Sequence, residues 1–518
     1  MHLSDGPDAH PASLPTISRR GFLGGTLAAG ASALLPGLAF GQSSGGRPNV
    51  VFFNIDDLNC RMGPYGDAFA ITPNLDAFAK EALTFDNCQC QYPVCGPSRA
   101  SFMTGLHCET TGNLHNADVL QDQMPGTVTL PECFKRGGYW TGRVGKLFNA
   151  HSDPRDAGWD AMPGAPSKLN ANRVFAYQLT IAFERLHGPA DTPDKREQLQ
   201  KFIADNTPDS TQTPPGYGPS GMTDNEQNFG KMTQHVEQWI DGRADRPLFA
   251  AIGYGMTHVP FWAPDRFFDM YPVDAVPVTD PHWAGWDTRP NAAMSGRFRQ
   301  FGFTQGQHDP ELARKVGQAY YASMTYFDTL FGRVVDAIKD AGEWDNTIVI
   351  VSSDNGYHLG ENGMWGKATL FEESARVPLI IRAPGVTQPG TRSAALVEMV
   401  DVYPTLCELC SLDQPHAMHG KTLRRVMTDP SQDIREAAYT VLIGSPERQR
   451  NHKNGRSIRT QQYRYTEWEA SGTRELYDMA ADPQQHHNLA ESSDMASTVR
   501  AMSDLLSDTR AMASSTPA

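Results

Sequence analysis

Asn49-Val50-Val51-Phe52-Phe53-Asn54-Ile55-Asp56-Asp57 is an almost unbroken apolar run that stops on two carboxylates. Its lack of polar alternation predicts a strand buried on both faces, the pattern of a parallel sheet covered by helices. Thr72-Pro73 then opens a helix, with Thr72 as cap, Pro73 in the first turn, and Leu75, Phe78, Ala79, Ala82 and Leu83 recurring on one face. Further buried strands are expected around Tyr139–Val144, Leu248–Tyr254, Thr347–Ser352 and Pro378–Ile381, with a long amphipathic helix over Glu311–Lys339. Strands alternating with helices define an α/β fold with a mainly parallel sheet. Ligands gather at the carboxyl ends of the strands in such sheets. Here those ends carry Asp56-Asp57, His258 and Asp354-Asn355.

The 518 residues are enough for a large core and, on length alone, for roughly three domains. The 59 acidic residues exceed the 45 basic ones, for a formal charge of −14. That balance excludes nucleic acid as a partner, which needs a face rich in Lys and Arg. It leaves open a small anionic ester held by local charge in a cleft. Ser18-Arg19-Arg20-Gly21-Phe22-Leu23 reads as a twin-arginine export motif, followed by an apolar stretch to Phe40 and a small-residue cleavage site at Ala39-Phe40-Gly41. Residues 1–41 are thus expected to be a cleaved signal, with a periplasmic or secreted product and no membrane span in the mature form. Residues 48–420 form the expected catalytic domain, with 163–228 an inserted rim bearing helical pieces at Phe175–Leu186 and Lys195–Ile203. Residues 421–518 are expected to form a smaller α+β subdomain with an antiparallel sheet. Cys407 and Cys410 make a C-x-x-C, but Tyr403 and Leu406 share their helical face. Packing explains the pair better than zinc or redox chemistry.

Val94-Cys95-Gly96-Pro97-Ser98-Arg99-Ala100-Ser101-Phe102-Met103-Thr104-Gly105 carries the chemistry. Pro97 suits the first turn of a helix and leaves Cys95 just before its N-terminus, where free N–H groups favour an anion. Arg99 adds a planar cation suited to oxyanions. An ordinary buried thiol needs none of these neighbours, and Arg99, only four positions on, stands too close for a phosphatase-type thiolate. Asp56, Asp57, Asp354 and Asn355 supply four oxygen donors, which suit Ca²⁺ better than zinc or copper. Lys146 follows a strand in Gly142-Arg143-Val144-Gly145-Lys146, and Lys367 lies in Trp365-Gly366-Lys367. His258, in Gly253–Phe261, is the candidate to protonate a leaving alcohol.

The segment from Cys95 to Gly105 matches the signature C-x-P-S-R of the sulfatases, and with the other motifs the chain resembles that family over nearly all of its mature length. The similarity is greatest to the iduronate-2-sulfatase-like branch, in Asn54–Leu58, Gly253–Phe261, Trp365–Lys367, Ser457–Trp468, Glu475–Asp478 and Asp482-Pro483. The resemblance implies an alkaline-phosphatase-like α/β domain with a smaller C-terminal sheet domain. It implies that Cys95 is oxidised by a formylglycine-generating enzyme and, as formylglycine, sits beside Ca²⁺ held by Asp56, Asp57, Asp354 and Asn355. Arg99, Lys146, His258 and Lys367 would contact the sulfate. The substrate implied is a sulfated carbohydrate or small sulfate ester, a 2-O-sulfated uronic acid among the candidates. The aldehyde hydrate at position 95 would attack sulfur through one hydroxyl, and its second hydroxyl would later lose a proton as sulfate leaves.

Two positions depart from the branch. Asn149 stands where a histidine would serve that second hydroxyl, leaving either His151 or an orienting role for Asn149. Asn355 replaces a histidine but keeps an oxygen ligand. The alternatives are a phosphodiesterase or phosphonate monoester hydrolase on the same scaffold, and a non-catalytic glycan-binding relative, which the retained metal and nucleophile residues disfavour.

Overall fold

The computed structural model describes residues 46–149, 152–163, 183, 187–188, 192–206, 216–242, 246–279, 289–295, 301–303, 308–444 and 454–517. The expected signal, the helix at Phe175–Leu186 and His151 lie outside the described residues, Phe183 excepted.

The apolar run becomes β1 (Asn49–Ile55), buried along its whole length. With β2 (Leu83–Gln89), β3 (Trp140–Gly145), β4 (Leu248–Gly253), β5 (Thr347–Ser353), β6 (Arg376–Arg382) and β7 (Thr391–Glu398) it builds a seven-stranded sheet of order β7-β2-β6-β5-β1-β4-β3. β1 pairs in parallel with β4 and β5, and β3 with β4. β6 runs antiparallel to both β2 and β5, the one reversed strand in the sheet.

Side chains of β1 alternate between two cores, as the strand period of two demands. Val51, Phe53 and Ile55 join one cluster, where Phe53 meets Phe331 at 5.1 Å between ring centroids. Val50 and Phe52 join the other, with Phe102 and Leu406. Full burial of each such side chain contributes about 1.5–3 kcal/mol, so this single strand anchors both helical layers. The first face is covered by α1 (Pro73–Ala79), α4 (Asn228–Gly242) and the long α5 (Pro310–Asp340). The second is covered by α2 (Cys95–Thr104), α3 (Leu130–Arg136) and α6 (Val402–Leu409). Cys407 and Cys410 are buried there beside Tyr403 and Leu406, and Cys407 Sγ faces Cys133 Sγ at 3.9 Å.

The C-terminal part forms an antiparallel sheet, β8 (Ala438–Ile443), β9 (Asn454–Arg459), β10 (Tyr463–Trp468) and β11 (Thr473–Asp478) in that order. α7 (Ala496–Ala513) covers it, and Tyr465, Trp468 and Leu476 pack against Leu370 and Phe371. Pro193–Asn206, in the inserted stretch, is helical as its sequence predicts. Among the described residues no helix is long and apolar enough to cross a membrane.

Candidate active site

Register brings the acidic strand ends together. Ile55 of β1 pairs with Ser353 of β5, so Asp56-Asp57 and Asp354-Asn355 leave the sheet side by side. All four are buried. Asp57 holds a left-handed backbone, φ 65°, and its N–H donates to Asp354 Oδ1 at 3.1 Å. Such a conformation is costly for a residue with a Cβ and is kept where surrounding contacts enforce it. Tyr320 of α5 supplies one of them by donating its hydroxyl to the Asp57 carbonyl at 2.9 Å.

Cys95 begins α2, with Val94 as its extended N-cap residue. The thiol donates to Asp56 Oδ1 at 3.1 Å and accepts from Lys367 Nζ at 2.7 Å. Burial, with Asp354 and Asp56 nearby, pushes the thiol up to about 12. The helix start is less open than its sequence suggests. The Gly96 N–H donates to Asn116 Oδ1, Pro97 has none, and the Ser98 N–H bonds to the Val94 carbonyl. An anion is therefore met mainly by side-chain cations.

Those cations come from separate elements. Arg99 Nε donates to Asp354 Oδ2 at 2.9 Å, Nη1 reaches the Lys146 carbonyl, and Nη2 lacks a hydrogen-bond partner 3.6 Å from Asp56 Oδ1. Lys146 Nζ lies 2.8 Å from Asp56 Oδ2, and Lys367 Nζ contacts Asp57 Oδ1. Lys146 is placed by a close approach of β3 and β4, whose ends admit no side chain: a Cβ on Gly253 would sit 2.1 Å from the Lys146 carbonyl oxygen. Burial pushes the Asp56 carboxyl up, but Lys146, His258, Arg99 and Lys367 outweigh it and hold the group well below its usual range. For Asp354 burial prevails over Arg99 and the carboxyl is raised. His258 is half-buried, with Nδ1 at 2.7 Å from the Val259 carbonyl. One of its ring nitrogens lies within 4.8 Å of Asp56 and Cys95 ligand atoms.

The structure thus brings together Asp56, Asp57, Cys95, Arg99, Lys146, His258, Asp354, Asn355 and Lys367. Asn149 lies beside them, its amide donating to the Asn116 carbonyl at 2.9 Å. Asn116, Tyr320 and Thr257, which donates to the Asp56 carbonyl at 2.8 Å, complete the setting. No pattern in the sequence marks Asn116 or Tyr320, and Thr257, although inside the Gly253–Phe261 segment, carries no role of its own there. Tyr320 reads as a core position of an amphipathic helix, and Asn116 sits in an ordinary polar loop.

The donor set suits a hard divalent cation. Ligand atoms of Asp56, Asp57, Asp354 and Cys95 lie within 4.8 Å of one another. The buried Asn355 Oδ1 has no hydrogen-bond partner, although Nδ2 of the same amide donates to Asp57 Oδ1 at 2.8 Å. An orphaned buried carbonyl oxygen among carboxylates is what an oxygen-ligated cation satisfies.

The mainly parallel sheet, whose acidic strand ends surround a buried cysteine and several cations, has the alkaline-phosphatase-like fold. The sequence profile of the sulfatase family matches residues 48–412, and that of the N-sulphoglucosamine sulphohydrolase C-terminal region matches residues 360–512. The chain belongs to the sulfatase family and is a sulfuric ester hydrolase. It is 31% identical to a sulfatase of Formosa agariphila, over 90% of this chain and 87% of that one. It is 28% identical to human (Homo sapiens) iduronate 2-sulfatase, over 85% of this chain and 90% of that one. The fold matches the phosphonate monoester hydrolase of Agrobacterium radiobacter with a TM-score of 0.72 and 23% identity, covering 90% of this chain and 96% of that one.

Proposed function

We propose that the protein removes sulfate from a sulfated saccharide, a 2-O-sulfated uronic acid being the first candidate, using calcium and a formylglycine made from Cys95. The saccharide follows from the kinship with iduronate 2-sulfatase. The chemistry rests on one observation: Cys95 Sγ stands in hydrogen-bond contact with both Asp56 and Lys367 inside the carboxylate cluster.

Asp56, Asp57, Asp354 and the Asn355 amide oxygen would hold calcium. When bound, the ion polarises an ester oxygen and offsets negative charge. Three carboxylates here face three cationic side chains, Arg99, Lys146 and Lys367, so a divalent ion tips the balance toward binding an anion. Formylglycine supplies, as its hydrate, a hydroxyl nucleophile and a second hydroxyl for release of sulfate. Lys367, already on the residue-95 side chain, holds the nucleophile and an ester oxygen in one place. Lys146, one-third exposed at its side chain, reaches the sulfate from the open side. Arg99 fixes Asp354 in place through Nε, with Nη2 left for an oxyanion. The Val259 carbonyl accepts from His258 Nδ1, so the proton that would pass to the departing alcohol is the one Nε2 carries in the imidazolium form, leaving the neutral Nδ1–H ring behind. The twin-arginine motif supports export to the periplasm.

The test is a mass spectrum of the tryptic peptide containing residue 95, taken on enzyme whose turnover of sulfated saccharides and of a phosphonate ester is measured alongside. The expected result is the thiol-to-aldehyde mass loss with sulfate ester preferred. An untouched thiol in fully active enzyme overturns the reading.

A further inference from the structure

A two-amide bridge presses on the first turn of α2. Asn116 Oδ1 accepts from the Gly96 N–H at 2.8 Å, and the Asn116 carbonyl accepts from Asn149 Nδ2 at 2.9 Å. A Cβ on residue 96 would lie 2.6 Å from Asn149 Nδ2, 2.8 Å from Asn116 Oδ1 and 2.9 Å from Asn116 Cα. Any larger residue at 96 must push both amides away, so this glycine serves a close approach.

Asn116 is exposed, yet its loop is braced from several sides. Asp118 Oδ2 accepts from the Leu114 and His115 N–H groups at 2.7 Å each. The Asp118 carbonyl accepts from Asn113 Nδ2 and Ser152 Oγ at 3.2 Å each. Ser152 Oγ in turn accepts from the Leu120 N–H at 3.0 Å, and the Ser152 N–H donates to the Asn149 carbonyl at 2.9 Å. Asn149 and Ser152 belong to the loop after β3, the loop that begins with Lys146. Asn116 is therefore a second tie between this loop and the helix that carries residue 95, beside the bond from Arg99 Nη1 to the Lys146 carbonyl.

We propose that Asn116 is a positioning residue for the nucleophile: its side chain caps α2 at Gly96 while its carbonyl holds Asn149, fixing residue 95 against the Lys146 loop. The proposal rests on residue 95 being the nucleophile. Neither amide is a proton acceptor at neutral pH, so the bridge acts through geometry, and small misplacements of reacting groups cost rate steeply.

The experiment uses the full exported chain with Asn116→Ala, Asn116→Asp and Gly96→Ala. Activity on a sulfate ester is divided by the fraction of residue 95 converted, read by mass spectrometry. Asn116→Ala is expected to lower kcat about ten-fold with KM held within about two-fold and the thermal midpoint unchanged. Asn116→Asp keeps the oxygen that accepts from Gly96 and should retain about half of kcat or more. Gly96→Ala, which displaces both amides, should fall below Asn116→Ala. Wild-type kcat in Asn116→Ala overturns the proposal, as does an equal loss in the Ala and Asp variants or a loss that follows the thermal midpoint. Failure of the functional reading shows separately, as an unconverted thiol in active wild-type enzyme.

Discussion

Two buried clusters of charge differ in how completely the polar atoms at their centres are used. Beneath the antiparallel sheet, Glu372 accepts from Arg464 Nε at 3.2 Å and also from Arg464 Nη2, which donates in addition to Gln89 Oε1 at 2.8 Å. Arg464 Nη1 reaches Ser457 Oγ at 3.3 Å, and the Glu372 N–H donates to Gln485 Oε1 at 2.7 Å. One ion pair thus joins β2 to the second sheet with every Glu372 and Arg464 side-chain polar atom bonded, Arg459 Nε and Gln485 Nε2 at its margin being left without hydrogen-bond partners. At the strand ends around Cys95, by contrast, Asn355 Oδ1 and Arg99 Nη2 lack hydrogen-bond partners, and Asp57 keeps a strained backbone. A closed network holds the fold together; an open one is a place prepared for something else. Buried polar groups carry a free-energy penalty until they are matched, and a site that binds cation and ester keeps that matching for the ligand.

The contrast can be broken most severely at Cys95. Replacing it with serine should lower sulfate release by about 10⁴-fold or more and allow at most one sulfation per molecule, with the thermal midpoint barely moved. Repeated turnover by this variant, followed as product per mole of enzyme, would contradict the mechanism. Asp354→Asn should cost about 10³-fold in kcat, with a thermal midpoint no lower than that of the calcium-depleted wild type. Exhaustive dialysis against a calcium chelator should likewise abolish activity, restored by added Ca²⁺, while lowering the thermal midpoint because a ligand of the folded state is withdrawn.

The closed cluster should answer in the opposite way. Arg464→Met strands Glu372 in a buried position and should cost about 3–5 kcal/mol of stability in a denaturant titration. Activity per folded molecule should stay at the wild-type level. The smallest effect is one of pH. Although burial pushes Glu372 up, Arg464, Arg459 and Arg376 lower it from 4.5 to about 2. A depressed carboxyl adds stability that is fully present above 4.5 and is lost as pH falls through about 2. Glu372→Gln should therefore flatten the acid limb of the stability profile over that window, measured as the thermal midpoint against pH. A limb identical to wild type would show that this carboxylate is not what the cluster depends on.

Much of this was legible because the informative signals are local. β1 announces itself through unbroken apolarity, the start of α2 through Pro97, and the α5 span through its apolar period, so Glu311–Lys339 and Pro310–Asp340 nearly coincide. The acidic strand ends could be grouped because parallel strands deliver their carboxyl termini to one edge. What stayed hidden is set by pairing across long separations. The reversal of β6 depends on which neighbours it finds, and its short apolar run has no direction of its own. Of the expected open N–H groups of α2, that of Gly96 is taken by Asn116, twenty positions away and outside any motif. Cys133 likewise gave no hint that it would face Cys407, which lies 274 residues away. Asn149 lies against Gly96, and His151 lies outside the described residues.

The depth at which Cys95 lies has a consequence for the life history of the chain. The residue is 2% exposed, Pro97 is buried and Arg99 is sealed at 0%, so the pentapeptide that a maturation enzyme would read is unreadable once the helix has docked. On the proposed function, oxidation has to precede folding, and the finished core then acts as a seal. A molecule that closes too early is permanently silent, however well it is made.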